Sequence, residues 1–179
     1  MASILFRKIS QRATEVFTPE LITSLITKKG NTQTPERQYI AKLKQILGEE
    51  GLTFSEAGSQ QSKDFRNIGG IGLNIEVKKT DSFKIMCNDT CPTEDINYII
   101  IFTGKTTRKE NYPPQLIFKN GQEITEESPW INDYLKAVNV LKDTYCRGDA
   151  ARDLPGPLSV YIRPNISVDI RKWLVSDEL

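Results

Sequence analysis

The sequence predicts an α/β (α+β) fold in which a central mixed β-sheet is flanked by helices. Three observations carry this reading: two proline-opened amphipathic helical segments early in the chain, a strictly alternating strand over residues 73–78, and an almost continuously apolar run over residues 96–102. That last run offers no polar row to solvent, so it belongs inside a sheet covered on both faces. With 179 residues, the chain can bury a core without staples, and residues 1–179 are read as one domain.

The elements follow in order. Residues 1–17 are weakly patterned, with Arg7, Lys8 and Arg12 gathered among them, and a short strand, a helix or an arm reaching a partner all remain open. Thr18-Pro19-Glu20 supplies an N-cap, a proline at the first helical position and a first-turn acid; Leu21, Ile22, Leu25 and Ile26 follow, with a stop expected at Gly30. The same signal recurs at Thr34-Pro35-Glu36, after which Ile40, Leu43 and Leu47 share one helical face until Gly48 or Gly51 ends the run.

Residues 52–62 read as a strand or an irregular approach to the stretch KDFRNIGGIGLNIEVKK at 63–79. There Leu73, Ile75 and Val77 alternate with Asn74, Glu76 and Lys78, which puts the apolar side chains on one face of a strand and the polar ones on the other. Gly69, Gly70 and Gly72 supply a turn that folds the segment carrying Asp64 back towards Glu76. A short strand at 83–87 and a loop containing Asn88, Asp89, Thr90 and Pro92 lead to the apolar run at 96–102.

Further on, residues 115–125 read as a hairpin closed by Asn120-Gly121, a pair suited to the positive φ values of a two-residue turn. Ser128-Pro129 opens a third helix with Ile131, Tyr134, Leu135, Val138 and Leu141 as its apolar stripe, ending near residues 146–148. Residues 158–163 alternate as a late strand, and residues 166–175 form another strand or a short helix.

Composition narrows the chemistry. The 24 Lys and Arg nearly balance the 23 Asp and Glu, so a nucleic-acid partner has to be held by a local patch. There is no histidine, which removes Ser-His and Cys-His catalysis, His-containing zinc sites and His-dependent nucleases together. Cys87, Cys91 and Cys146 are an odd number and read as incidental reduced thiols. No run approaches the ~18 apolar residues of a membrane span, and the N-terminal stretch is too short and too charged for a secretory signal. The expectation is a soluble cytoplasmic protein with no membrane partner and no small-molecule cofactor.

Two carboxylates and a lysine around one point suit metal-assisted hydrolysis. Magnesium takes oxygen ligands and keeps several waters, so Asp64 and Glu76 with a backbone carbonyl leave coordination positions for a phosphate and a water. Lys78, on the same strand face as Glu76, then orients or deprotonates that water and offsets charge developing on phosphorus. Glu36 reads either as a first-turn acid complementing the helix dipole or as a further acid overlooking the hairpin. A different hairpin register brings Glu56 or Asp81 to the site instead.

Asp64, then twelve positions on Glu76-Val77-Lys78 on an alternating strand, resembles the PD-(D/E)XK nuclease motif, and the type II restriction endonucleases of that superfamily are the nearest match. The continuation IEVKKTDSFKIMCNDTCP before the apolar INYIIIF is also similar to those enzymes, and the likeness covers roughly residues 34–103. It implies a restriction-endonuclease-like fold, with Asp64, Glu76 and the carbonyl of Val77 as Mg²⁺ ligands, Lys78 as the water-positioning residue and Glu36 as the helical acid many members add. The sequence departs from the motif where Lys63 stands in place of the proline before the aspartate.

The expected activity is Mg²⁺-dependent cleavage of double-stranded DNA at a short sequence by a homodimer, since two strands need two sites and palindromes mirror two-fold symmetry. A restriction role implies a bacterial, archaeal or viral host. A structure-specific or repair nuclease of the same fold, a non-catalytic DNA-binding module and an unrelated interaction protein are the alternatives. Lys63, Arg66, Lys79, Lys105, Arg108 and Lys109 are the candidate phosphate contacts. Base readout is assigned to Asn88, Asp89 and Thr90, to the basic loop at 105–109 and to the hairpin around Asn120.

Overall fold

In the computed structural model, the residues described are 1–28, 33–56, 63–87, 91–126, 129–147 and 166–178. Residues 1–17, which the sequence left open, are a helix, α1 (Ala2–Val16), with Ile9 and Ala13 buried. Two of the cations of this segment are turned to structural use: Lys8 pairs with Glu50, and Arg12 pairs with Glu15, with Glu49 at 3.1 Å and with Glu50 at 3.6 Å. Helix α2 (Pro19–Ser24) has the expected cap, the Leu21 N–H donating to the Thr18 hydroxyl at 3.3 Å. It stops well before Gly30, where the hydroxyls of Thr23 and Ser24 bond back to the carbonyls of Pro19 and Leu21, a local alternative that weakens a helix.

Helix α3 (Gln33–Glu49) begins one residue ahead of the predicted cap, so Thr34 is helical and Pro35 still falls in the first turn, where its missing N–H costs nothing. Its buried stripe is Pro35, Tyr39, Leu43, Ile46 and Leu47, wider than the stripe read from the sequence. The helix runs through Gly48 and ends ahead of Gly51, whose φ is +64°.

Strands β1 (Ser55–Glu56), β2 (Phe65–Ile68), β3 (Leu73–Thr80), β5 (Asn97–Phe102) and β8 (Gln115–Asn120) form a five-stranded sheet in the order β1-β2-β3-β5-β8. Only β3 and β5 run parallel; the other neighbours are antiparallel, so the sheet is mixed as expected. The connection from β3 to β5 carries β4 (Lys84–Cys87), which leaves the main sheet and pairs with β9 (Ile166–Asp169). A third small sheet joins β6 (Lys105–Thr106), β7 (Glu110–Tyr112) and β10 (Asp177–Glu178).

The main sheet separates two cores. On one face Leu73, Ile75, Val77, Ile99 and Ile101 pack with the buried side chains of α1, α2 and α3. On the other, Tyr98, Ile100, Phe102 and Ile117 pack with Ile85 and Cys87 of β4, Ile166 and Val168 of β9, and Ile124 and Ile131 of two further helices. Tyr98 through Phe102 are at most 1% exposed, which fulfils the expectation of an interior strand covered on both faces. No helix among the described residues is long and apolar enough to cross a membrane.

The predicted hairpin over 115–125 is not formed: β8 ends at Asn120 and a helix, α4 (Gly121–Glu126), begins there. Asn120 is a helix cap rather than a turn residue. Its side-chain oxygen accepts the Gln122 N–H at 2.9 Å, while Glu123 reaches back to accept the Asn120 N–H at 2.7 Å, the reciprocal pairing of a capping box. Gly121 is required for a tertiary reason, because a Cβ there falls 2.1 Å from the Thr93 carbonyl oxygen. Base readout by a hairpin tip around Asn120 is withdrawn with the hairpin.

Pro129 precedes helix α5 (Trp130–Lys142), in which Ile131 and Val138 are buried and Tyr134 and Leu135 partly so. Leu141 is exposed where the helix runs into a π turn over Asp143–Arg147. Residues 166–175 are both of the expected things, strand β9 followed by a 3₁₀ turn at Arg171–Trp173. The strand read over 158–163 lies outside the described residues.

Urea denaturation of two variants checks the reassigned turn. Gly121→Ala is expected to cost about 3 kcal/mol or more through the clash with Thr93, and Asn120→Ala about 1–2 kcal/mol through the lost cap. In a two-residue hairpin turn Asn120→Ala has no cap to lose.

Candidate active site

The site originates in a mismatch of strand lengths. β2 begins at Phe65, opposite Ile75, whereas β3 continues to Thr80. β3 is therefore interior over its first half and uncovered on the β2 side over its second. The peptide N–H of Val77 falls just past the last ladder pair, and the Asp64 carboxylate accepts it at 2.7 Å through Oδ2. The turn that sets this register is made by Gly69, Gly70 and Gly72 at φ +65°, +69° and +78°, values that only glycine adopts freely.

Asp64 and Glu76 thus meet across the antiparallel pair as the sequence predicted. Glu76 is 8% exposed. Its Oε1 lies 2.7 Å from the Lys78 ammonium and its Oε2 accepts the peptide N–H of Lys63 at 2.8 Å. Lys63 adopts φ +75° to make that bond, an unusual conformation for a residue with a Cβ, and its ammonium pairs with Asp95. A proline at this position has neither the N–H nor access to positive φ, so it could not make this bond.

Beyond Glu76 the uncovered part of β3 opens into a cleft of about 620 Å³ lined by Thr27, Glu36, Tyr39, Lys78, Lys79, Thr80, Asp81, Ser82, Lys84 and Met86. The cleft brings Glu36, exposed at the start of α3, to Lys78. Burial and then the neighbouring Glu76 push the Asp64 carboxyl up to about 6, with Glu36 adding to the rise and the Val77 N–H and Lys78 opposing it. Burial pulls the Lys78 ammonium down, but Glu76 outweighs it and holds the group above its ordinary value. The Tyr39 phenol is raised by burial and by the charges of Glu36, Asp64 and Glu76.

The other expected residues divide. Glu56 pairs with Lys44 at 2.7 Å, and Asp81 is taken by Lys79 at 2.6 Å and by the Thr103 hydroxyl at 2.7 Å; Asp81 lines the cleft but does not face Glu76 as Asp64 does. Lys79 is a tie between Asp81 and Thr27, and Lys63 a tie to Asp95. Arg66 lies on β2, half-buried. Lys105, Arg108 and Lys109 are exposed around β6 and β7, with Lys105 4.8 Å over the Phe83 ring, and they do not line the cleft. Asn88, Asp89 and Thr90 lie outside the described residues. Cys87 and Cys91 are buried and unbridged, and burial pushes the Cys87 thiol up to about 11.

Sequence reasoning missed Tyr39, Thr27 and Lys84, which share the cleft with Lys78. Tyr39 stands three residues after Glu36 and so on the same side of α3, a spacing that makes it findable once Glu36 is considered. Nothing in the sequence marks Thr27, which arrives from the chain beyond α2.

Among the described residues no group of three or more His, Cys, Asp or Glu side chains gathers tightly enough to enclose a metal ion. The donor set is the sparser one that suits magnesium: two carboxylates and a nearby peptide carbonyl, the rest left to water. Burial first and the Glu76 charge second raise the Asp64 carboxyl, and a cation held beside it would favour its ionised form.

Two outcomes check this geometry. Because Asp64 binds its proton more tightly in the folded state, ionising it costs stability as pH rises from about 4 to about 6, above which the loss is complete. Asp64→Asn is therefore expected to raise the melting temperature at pH 8, by about 1–2 kcal/mol in stability, and to leave it unchanged below pH 4. Lys63→Pro is expected to cost about 3 kcal/mol while Lys63→Gly, which keeps the N–H and the positive φ, costs less than about 1 kcal/mol. Comparison of the chain with family models, with curated proteins and with solved structures finds no match to any of them.

Proposed function

We propose that the protein is a Mg²⁺-dependent endonuclease that hydrolyses phosphodiester bonds of double-stranded DNA at a short sequence, working as a homodimer in the manner of type II restriction enzymes. The observation that carries this reading is the meeting of Asp64 with Glu76 beside Lys78, whose side chain lines a cleft shared with Glu36. Acids twelve positions apart in sequence meet where Glu76 is 8% exposed, and burying charge is costly.

Asp64 and Glu76, with the Val77 carbonyl, are the groups that hold the ion. Magnesium supplies a Lewis acid for the phosphoryl oxygen and a more acidic water. With Glu76 beside it the Lys78 ammonium holds its proton above the ordinary value; its part is to orient the attacking water and offset charge growing on the phosphorane. Tyr39 also stays protonated at neutral pH and serves as a hydroxyl donor on the cleft wall. Glu36, on the cleft wall, is an acid that can accept a hydrogen bond from water. The exposed cations Lys105, Arg108 and Lys109 are the remaining phosphate contacts on this reading.

Incubation with plasmid DNA and Mg²⁺ tests the proposal. Discrete fragments are expected, abolished by EDTA, with the rate falling at least about 10²-fold in Glu76→Ala and in Lys78→Ala. Preference for branched oligonucleotides over plasmid points instead to a structure-specific or repair nuclease. Salt-sensitive DNA binding that is indifferent to Mg²⁺ and to loss of Glu76 overturns the catalytic reading in favour of a binding module.

A further inference from the structure

The two oxygens of Glu76 are held by partners of different kinds. Oε2 accepts a peptide N–H, that of Lys63. This donor is fixed by its backbone at φ +75° and by the ion pair from the Lys63 ammonium to Asp95. Asp95 is itself tied down, its other oxygen accepting the Thr93 hydroxyl and its carbonyl accepting the Asn74 amide at 3.1 Å. Among the described residues, Oε1 is held by the Lys78 ammonium at 2.7 Å, the end of a flexible four-carbon stem whose side chain keeps 19% of its exposure and lines the cleft. A cation approaching Glu76 from the cleft therefore meets one immovable partner and one that can swing away.

Resting on the reading that a divalent cation binds at Asp64 and Glu76, we infer that the Lys78 ammonium is the resting occupant of that cation's place at Glu76, so that the two compete for Oε1. Two positive centres cannot share one carboxylate oxygen at contact distance without strong mutual repulsion. Arrival of the ion expels the ammonium into the cleft, among Glu36 and Tyr39, where a substrate phosphate or its attacking water stands. Lys78 is delivered to the substrate only when the ion is in place, and without the ion it keeps the acid pair from repelling itself apart.

The test is a calorimetric titration of the full-length protein with MnCl₂ or MgCl₂ alone, without DNA. Lys78→Met and Lys78→Gln are each expected to bind the ion about tenfold more tightly than the natural protein, because the competitor is gone, although neither cleaves DNA. Affinity unchanged or lowered in both variants, with circular dichroism showing them folded, overturns the inference, as does the absence of ion binding to any of the three proteins. Tighter binding in the variants together with no DNA cleavage by the natural protein leaves this inference standing and removes the nuclease reading. Cleavage by the natural protein with no gain in affinity does the reverse.

Discussion

One peptide group organises the site. The N–H of Val77 belongs to a strand that is interior to the sheet, yet β2 stops two residues short of covering it. A buried N–H without an acceptor costs about 1–3 kcal/mol, and Asp64 is the acceptor. Meeting that need draws a carboxylate inward, to the side of Glu76, which is itself nearly buried. The two acids are adjacent because the backbone requires one of them there, and burial together with their mutual repulsion raises the proton affinity of Asp64.

The rest of the structure then works to keep that unfavourable pair in order. Lys63 gives up ordinary backbone geometry to donate its N–H to Glu76, and its side chain is anchored at the start of β5 through Asp95. Lys78 neutralises the other oxygen. At the end of β3, Lys79 and Asp81 close on each other and on Thr27 and Thr103, so the charges next to Lys78 are spent on joining α2's exit to the sheet. Charges close in sequence have separate roles because successive side chains of a strand point to opposite faces.

Much of this was legible beforehand. The alternation over residues 73–78, the glycines before it and the apolar run over 96–102 each constrain one element, and together they dictate that Asp64 returns to Glu76. The capped helices could be read as well, though their ends could not, since Thr23 and Ser24 cut α2 short by bonding to backbone carbonyls. Asn120-Gly121 was misread because the same two letters serve a hairpin turn and a helix cap. What decides between them is Glu123 and the close approach of Thr93, and the latter is a tertiary contact with no local signature. The positive φ of Lys63 was equally hidden, since lysine does not advertise that conformation.

On the proposed reading, Asp64 and Glu76 form a cation position whose resting occupant is Lys78. A crystal of the protein soaked in Mn²⁺ and measured at the manganese absorption edge tests it directly. The account predicts one anomalous peak within coordination distance of Asp64 and Glu76, about 2.2 Å from their oxygens, with the Lys78 ammonium turned away from Glu76 into the cleft. A peak elsewhere, or an unbroken Lys78–Glu76 pair at saturating Mn²⁺ with no peak between the two acids, contradicts it.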